Sequence, residues 1–220
     1  MPPKYHFIDQ YSDAWDKVRL GIPTASQMSR IITPGGKPSD SWKDYAYHLL
    51  AERLLERPVD TYKSAAMERG SQMEPLAVEW YEWDRDLQTK PIGFITNEAR
   101  TVGASPDRLV GDVGLLEAKA PMPQTHVKYL LTGEIDKKYW PQLQCQLFVS
   151  EREWVDILAW DSVLPRIVIR VTRDEPYIAC MEKLLDDFND YMSKIIEKIK
   201  KVTNVPDMPE IRDSQTILAG

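Results

Sequence analysis

Soft metal-ligand chemistry is scarce in this chain. Its 220 residues include two cysteines, Cys145 and Cys180, and three histidines, too few and too scattered for a zinc site. The same two cysteines exclude a disulfide framework and suit a reducing compartment. No apolar run approaches membrane-spanning length, and the N-terminal MPPKYHFIDQ lacks the basic-then-apolar pattern of a signal peptide. A soluble, cytoplasmic protein without a membrane role is therefore expected, and any metal it holds should be a hard, oxygen-preferring ion. An excess of positive charge is missing as well. The net charge of −6 argues against a generally basic nucleic-acid binder, but phosphate binding needs only a local basic patch.

Repeats and low-complexity linkers are absent, and 43% hydrophobic with 28% charged residues suits one domain with a real core. The N-terminal third reads as helical. DAWDKVRLG ends at Gly21, a C-cap residue type, and Thr24 is placed to cap ASQMSRII. After the loop TPGGKPSDS, the stretch WKDYAYHLLAERLLER has apolar positions at helical spacing and ends before Pro58. In SAAMERGSQMEPLAVEWYEWDRD, Pro75 predicts a break, with a fresh helix starting near Glu74. Strand-like runs follow, PIGFIT and RTVGAS, then RLVGDVGLLEAKA as strand, Gly-Asp turn and strand. PQTHVKYLL and KKYWPQLQCQLFVS read as helices, the second with an awkward Pro141. WVDILAWD and RIVIRVT read as strands, and EPYIACMEKLLDDFNDYMSKIIEKIKKV as a long final helix. The order implies an α/β architecture with a central mixed β-sheet flanked by helices. The tryptophans at 80, 83, 140, 154 and 160 are read as core rather than as base-stacking platforms.

The chemistry concentrates in GASPDRLVGDVGLLEAKA. In a strand, Glu117 and Lys119 share one face with Cα atoms about 6.5 Å apart, while Ala118 faces the other way. If TVGASPDRL pairs beside this strand, Asp107 reaches the Glu117 face. Two carboxylates and an ammonium group on a buried strand are costly unless paired or metal-bound. Asp and Glu holding Mg²⁺, with Lys beside an attacking water, is what phosphodiester hydrolysis asks for. On these residues alone, an exposed hairpin with an ordinary Glu–Lys pair is the simpler reading, because the short pattern recurs in unrelated chains.

An ordered set of further motifs changes the balance. Trp15, Arg19, Gly21, Ala25 and Ser26 form a Trp-x-x-x-Arg-x-Gly-x-x-x-Ala-Ser segment, and Gly70 to Glu74 a Gly-x-x-x-Glu segment. Ser105-Pro106-Asp107, the Glu117-x-Lys119 pair and a helix bearing Gln142, Gln144 and Gln146 follow in order. Over residues 14–150 the chain thus resembles the bacteriophage lambda-type exonucleases, the viral-recombinase branch of the restriction-endonuclease-like nucleases. The resemblance implies a restriction-endonuclease-like core in one nuclease domain, 1–220. Within it, 1–60 would be a helical part with a 5′-phosphate pocket, 61–172 the catalytic core, and 173–220 a helix and tail. It also implies Mg²⁺ as cofactor, a pair of ions per site, with Mn²⁺ able to substitute. Asp107 and Glu117 would be the central ligands, aided by the Ala118 carbonyl and by Glu74. Lys119 would orient or activate the nucleophilic water, and Gln144 would join it, with Gln142 as the alternative because residues two apart on a helix face different ways. Arg19 and Ser26 would hold the terminal 5′-phosphate, Ser105 would bond near the scissile phosphate, and Met67 is a candidate wedge between terminal base pairs.

The implied activity is 5′→3′ exonuclease digestion of linear double-stranded DNA to mononucleotides, leaving 3′ single strands for recombination by strand annealing. A homotrimeric ring, an annealing recombinase as partner, and a phage or prophage origin in a bacterial cytoplasm come with the resemblance. Alternatives on the same fold are an endonuclease, a nuclease of other polarity, or a catalytically silent DNA-end-binding module. Plainer roles also stand beside each residue. Arg19 could neutralise Asp16 or a helix C-terminus, and Glu74 could serve the dipole of a helix it begins.

Overall fold

The computed structural model describes residues 2–59 and 65–202. Alternation along one strand organises its centre. In β6 (Gly114–Lys119), Leu115 joins the larger apolar cluster on one face of the sheet, and Leu116 and Ala118 join a smaller cluster on the other. Both faces are therefore covered, as a central strand of an α/β fold requires. Strand β6 is the middle strand of a five-stranded sheet of order β2 (Thr89–Pro91), β5 (Arg108–Val110), β6, β7 (Trp154–Ala159) and β8 (Ile167–Thr172). The β6–β7 pair is parallel and the other pairs are antiparallel, so the sheet is mixed. A second, antiparallel sheet has the order β1 (Lys4–His6), β3 (Phe94–Thr96), β4 (Gly103–Ala104).

Helices fill the two sides. The larger cluster packs α2 (Trp42–Leu55), α5 (Trp140–Ser150) and α6 (Glu175–Val202) against Leu115, Val155, Ile157 and Val171. On the opposite face, Ala77, Val78 and Tyr81 of α3 (Ala65–Arg85) meet Val110, Leu116 and Leu158. Helices α1 (Asp13–Arg19) and α4 (Pro123–Thr132) complete the set. Ser12 caps α1 by accepting from the Trp15 N–H, and Gly21 follows with φ +67°, a conformation in which Gly is favoured.

Several expectations need correction. Helix α3 runs unbroken through Pro75 instead of restarting at Glu74. Pro75 sits on an exposed turn, and its neighbours Ala77, Val78 and Tyr81 are held by core packing, which outweighs the lost bond to the preceding turn. Residues 25–30 form a 3₁₀-helix, and Thr24 makes no side-chain cap. Pro141 lies in the first turn of α5, where a missing N–H costs nothing. PIGFIT divides between β2 and β3, which belong to different sheets. Trp83 is 78% exposed and not core, whereas Trp160 is buried.

Gly103 sits where the second sheet meets the segment before the 3₁₀-helix, its N–H donating to the Pro23 carbonyl at 2.9 Å. A Cβ there would lie 2.3 Å from the Phe94 ring and 3.1 Å from the Ile95 carbonyl. Overpacking of this kind costs about 1–3 kcal/mol. Gly103→Ala is expected to lower the urea unfolding midpoint accordingly, and an unchanged midpoint would show that the junction yields freely.

Candidate active site

The β5–β6 hairpin brings the acids together. Arg108 pairs with Leu116, and continuing this register by one residue sets Asp107 opposite Glu117. Arg152 secures the turn by donating to the carbonyls of Gly111 at 3.0 Å and Gly114 at 2.6 Å. Asp107 Oδ2 accepts the Ala118 N–H at 2.6 Å, a charge-assisted bond across the hairpin. Glu117 is 3% exposed, and Lys119 Nζ donates to its Oε1 at 2.5 Å. Two amides from α5 complete its shell. Gln142 donates to Oε1 at 2.7 Å and Gln146 to Oε2 at 2.6 Å.

Gln144 is not part of this group. Its amide donates to the Thr172 carbonyl at 2.9 Å and accepts the Asp174 N–H at 2.8 Å, joining α5 to the start of α6. Residues 142 and 146 are one helical turn apart and share a face, whereas 144 points elsewhere.

Glu74 comes from α3, on the other side of the sheet, and its Oε1 lies 3.4 Å from Arg108 Nη1. It is mid-helix, so a helix-dipole role does not account for it. A shallow cleft, lined in part by Gly70, Glu74, Ala118, Lys119 and Trp160, runs between α3 and the end of β6. Burial lifts the Asp107 carboxyl well above the usual carboxylate range, and the charges of Glu117 and Glu74 add to this. Burial also raises Glu74; Arg108 works against that shift and Glu117 reinforces it. For Lys119, burial disfavours the ammonium, but Glu117 and Asp107 outweigh it and its pKa rises. Three carboxylates thus feel one another's charge around one ammonium. As the side chains stand, no three acids, histidines or cysteines among the described residues close into a metal cage.

The residues expected at phosphate lie on α1, on the 3₁₀-helix and before β5. Arg19 makes no hydrogen bond or ion pair among the described residues. Its guanidinium lies 4.0 Å above the Trp15 ring, and desolvation lowers its pKa. Neutralisation of Asp16 by a direct ion pair is therefore not its role. Helix α2 holds the following turn: Glu52 accepts the Gly21 N–H at 3.0 Å and Arg53 Nε donates to the Gly21 carbonyl at 2.7 Å. A Cβ on Gly21 would fall 2.3 Å from Arg53 Cγ, so both backbone angle and space require glycine. Ser26 is exposed at the start of the 3₁₀-helix, its Oγ 3.4 Å from Thr24 Oγ1. Ser105 Oγ accepts from Trp15 Nε1 at 3.0 Å. The Met67 side chain lies outside the described residues. The sequence does not single out Arg108, and Gln146 enters only as a member of the glutamine-bearing helix. The four-residue spacing of the glutamines could have shown Gln146, while Arg108 carried no signal beyond following Asp107.

The profile of the YqaJ-like viral recombinase domain matches residues 14–153. The chain belongs to this family. Its fold is similar to that of an alkaline exonuclease from Laribacter hongkongensis, with TM-score 0.78 and 31% identity over 86% of this chain and 97% of that one. The same enzyme in complex with dAMP matches with TM-score 0.78 and 32% identity over the same shares. A phage-related exonuclease from Haemophilus somnus 129PT shares the fold at TM-score 0.61 and 16% identity, over 81% of this chain and 96% of that one. No curated protein sequence matches. The architecture is restriction-endonuclease-like, the family supports a nuclease, and nucleases of this family generally use divalent metal ions.

Two outcomes are expected. Gln142→Ala and Gln146→Ala should each reduce turnover, while Gln144→Ala should leave turnover of the folded protein intact and cost about 1–3 kcal/mol of stability through its orphaned backbone partners. Loss of turnover in Gln144→Ala alone would reverse the assignment. For Asp107, a raised folded pKa means that the folded chain holds the proton more tightly than the unfolded chain. Its contribution is full below the ordinary carboxylate range and falls as pH rises through the raised value. In chelator, Asp107→Asn should therefore melt above wild type at neutral pH, with the gap closing in acid; a lower melting temperature at neutral pH would contradict the repulsion.

Proposed function

We propose that the protein is a divalent-metal-dependent 5′→3′ exonuclease that digests one strand of linear double-stranded DNA processively to mononucleotides. The 3′ single strand left behind would serve recombination by strand annealing. One observation carries the reading: Asp107 bonded to the Ala118 N–H, Glu117 bonded to Lys119, and Glu74 lining the same cleft as Ala118 and Lys119 come together at the end of β6 in a chain of an exonuclease family. The dAMP in the complex of the Laribacter enzyme is a mononucleotide of the kind such digestion would release.

The residues fit a hard cation. Asp107 and Glu74 are raised by burial together with neighbouring negative charge, and each has a carboxylate oxygen with no hydrogen bond among the described residues. Asp107, Glu117, Glu74 and the Ala118 carbonyl would hold Mg²⁺, in one or two positions, with Mn²⁺ as a substitute. When bound, the metal supplies positive charge that acidifies water and stabilises the leaving oxygen. The remaining work falls to the chain. The Ala118 N–H fixes the Asp107 carboxylate, and Gln142 and Gln146 fix both oxygens of Glu117 without cancelling its charge. Lys119, held by Glu117, places the attacking water and offsets the charge that grows on the phosphate. Arg19, a guanidinium without an anionic partner in contact among the described residues, would take the terminal 5′-phosphate, and Ser26 would join it on family grounds. That contact would make digestion start from an end. A trimeric ring and an annealing partner remain part of the proposal on family grounds.

Linear 5′-phosphorylated duplex and closed circular duplex, each with and without Mg²⁺, test the reading. Mononucleotide release from the linear duplex alone, only with Mg²⁺, is expected. Cutting of circles would indicate an endonuclease, and inert DNA throughout a binding module. Lys119→Ala should keep end binding and lose turnover by about 100-fold or more. Arg19→Ala should erase the preference for phosphorylated over hydroxyl 5′ ends, read from KM on the two substrates; a surviving preference would place the pocket elsewhere.

A further inference from the structure

One buried side chain touches both the expected phosphate pocket and the segment between β4 and β5 that carries the first acid. Trp15, 7% exposed, has the Arg19 guanidinium 4.0 Å over its ring. Its Nε1–H is shared between the Gly93 carbonyl and Ser105 Oγ, each at 3.0 Å. An indole N–H can only donate, so Ser105 Oγ is the acceptor and keeps its own O–H to give. No acceptor among the described residues takes that proton. Ser105 lies two residues before Asp107, and Gln10 ties the same segment by donating to the carbonyls of Pro106 at 3.2 Å and Ile92 at 3.0 Å.

We infer that Trp15 is a positioning residue that links end recognition to cleavage. Its ring face orients Arg19 toward the terminal phosphate, and its N–H turns the Ser105 hydroxyl to donate to a phosphate oxygen beside Asp107. The inference rests on the exonuclease reading above. The two contacts use different parts of the indole and can be separated. A benzene ring keeps the face and loses the N–H.

Steady-state digestion of linear duplex with 5′-phosphate or 5′-hydroxyl ends tests it, using Trp15→Phe, Ser105→Ala and their double variant. Trp15→Phe should keep the KM preference for phosphorylated ends, because Arg19 still has a ring beneath it. Its kcat should fall by about 10- to 100-fold, the range expected from small misplacement of a positioning group. The double variant should be no slower than Ser105→Ala alone, since both changes remove the Trp15–Ser105 bond. A merely structural role would lower the melting temperature in both variants without splitting KM from kcat or producing this non-additivity. Wild-type kcat in Trp15→Phe, or losses that multiply in the double variant, would overturn the inference. If Trp15→Phe does not fold, Ser105→Ala breaks the same bond from its other end, and a wild-type kcat there is equally fatal. Arg19→Ala keeps the two readings apart. Loss of phosphate preference in Arg19→Ala alongside a normal Trp15→Phe refutes only the role of Trp15, whereas preference retained in Arg19→Ala refutes the pocket and this inference with it.

Discussion

Like charge held out of water governs this molecule. Asp107, Glu117 and Glu74 are brought within range of one another at the end of a central strand, where burial and mutual repulsion raise the pKa of Asp107 and of Glu74. A chain does not assemble such a group for stability, because removing carboxylates from water is unfavourable and repulsion adds to the cost. Something must compensate, and part of it is present. Lys119 bonds Glu117, Arg108 lies beside Glu74, and the Ala118 N–H serves Asp107. The two cations do not cancel the charge of the three acids if all ionise. The remaining negative potential fits a hard divalent ion and disfavours soft metals, in keeping with the scarcity of cysteine and histidine.

The sheet makes this crowding possible. Asp107 and Glu117 face each other across an antiparallel hairpin, so their separation is set by backbone pairing and does not depend on long side chains. Glu74 approaches from α3, whose Tyr81 donates to the buried Asp156 at 2.7 Å. Arg170 completes that carboxylate's shell at 2.8 and 2.9 Å. This second buried acid is fully satisfied and holds the helix against the sheet. The contrast is chemical: Asp156 receives donors for both oxygens, while Asp107 and Glu74 each retain an oxygen without one among the described residues.

Much of this was legible from the order of residues alone. The hairpin was readable because Gly111 and Asp112 separate two apolar runs, and its register follows from the turn. The final helix was readable from a long 3.6-residue pattern. Local rules failed where packing overrode them. Pro75 argued for a break, yet Ala77, Val78 and Tyr81 keep α3 continuous. PIGFIT reads as one strand because nothing in its composition marks the change of sheet. In the site, Asp107, Glu117 and Lys119 stood out as charges in an apolar hairpin, but only the ordered set of further motifs favoured a shared role over an ordinary Glu–Lys pair. Gln144 turns away from Glu117 for a geometric cause: it is two residues from each of the glutamines that do reach it. Trp15 was visible only as a motif position: its contact to Arg19 is one helical turn away on α1, but its bond to Ser105 depends on a fold that joins residues 90 apart.

The choice of amides around Glu117 follows from the same electrostatics. A guanidinium in place of Gln142 or Gln146 would bind the carboxylate more strongly, but it would also neutralise it and repel an incoming cation. An amide donates one hydrogen bond and adds no net charge, so it fixes orientation while leaving the full charge available. Lys119 is the exception, and its place on the same strand explains it. An ammonium is a compact charge on a flexible stem, able to hold Glu117 and still turn toward a water or a phosphate oxygen. Two neutral donors that orient and one mobile cation that can change partners form a division of labour that a cluster of arginines could not provide.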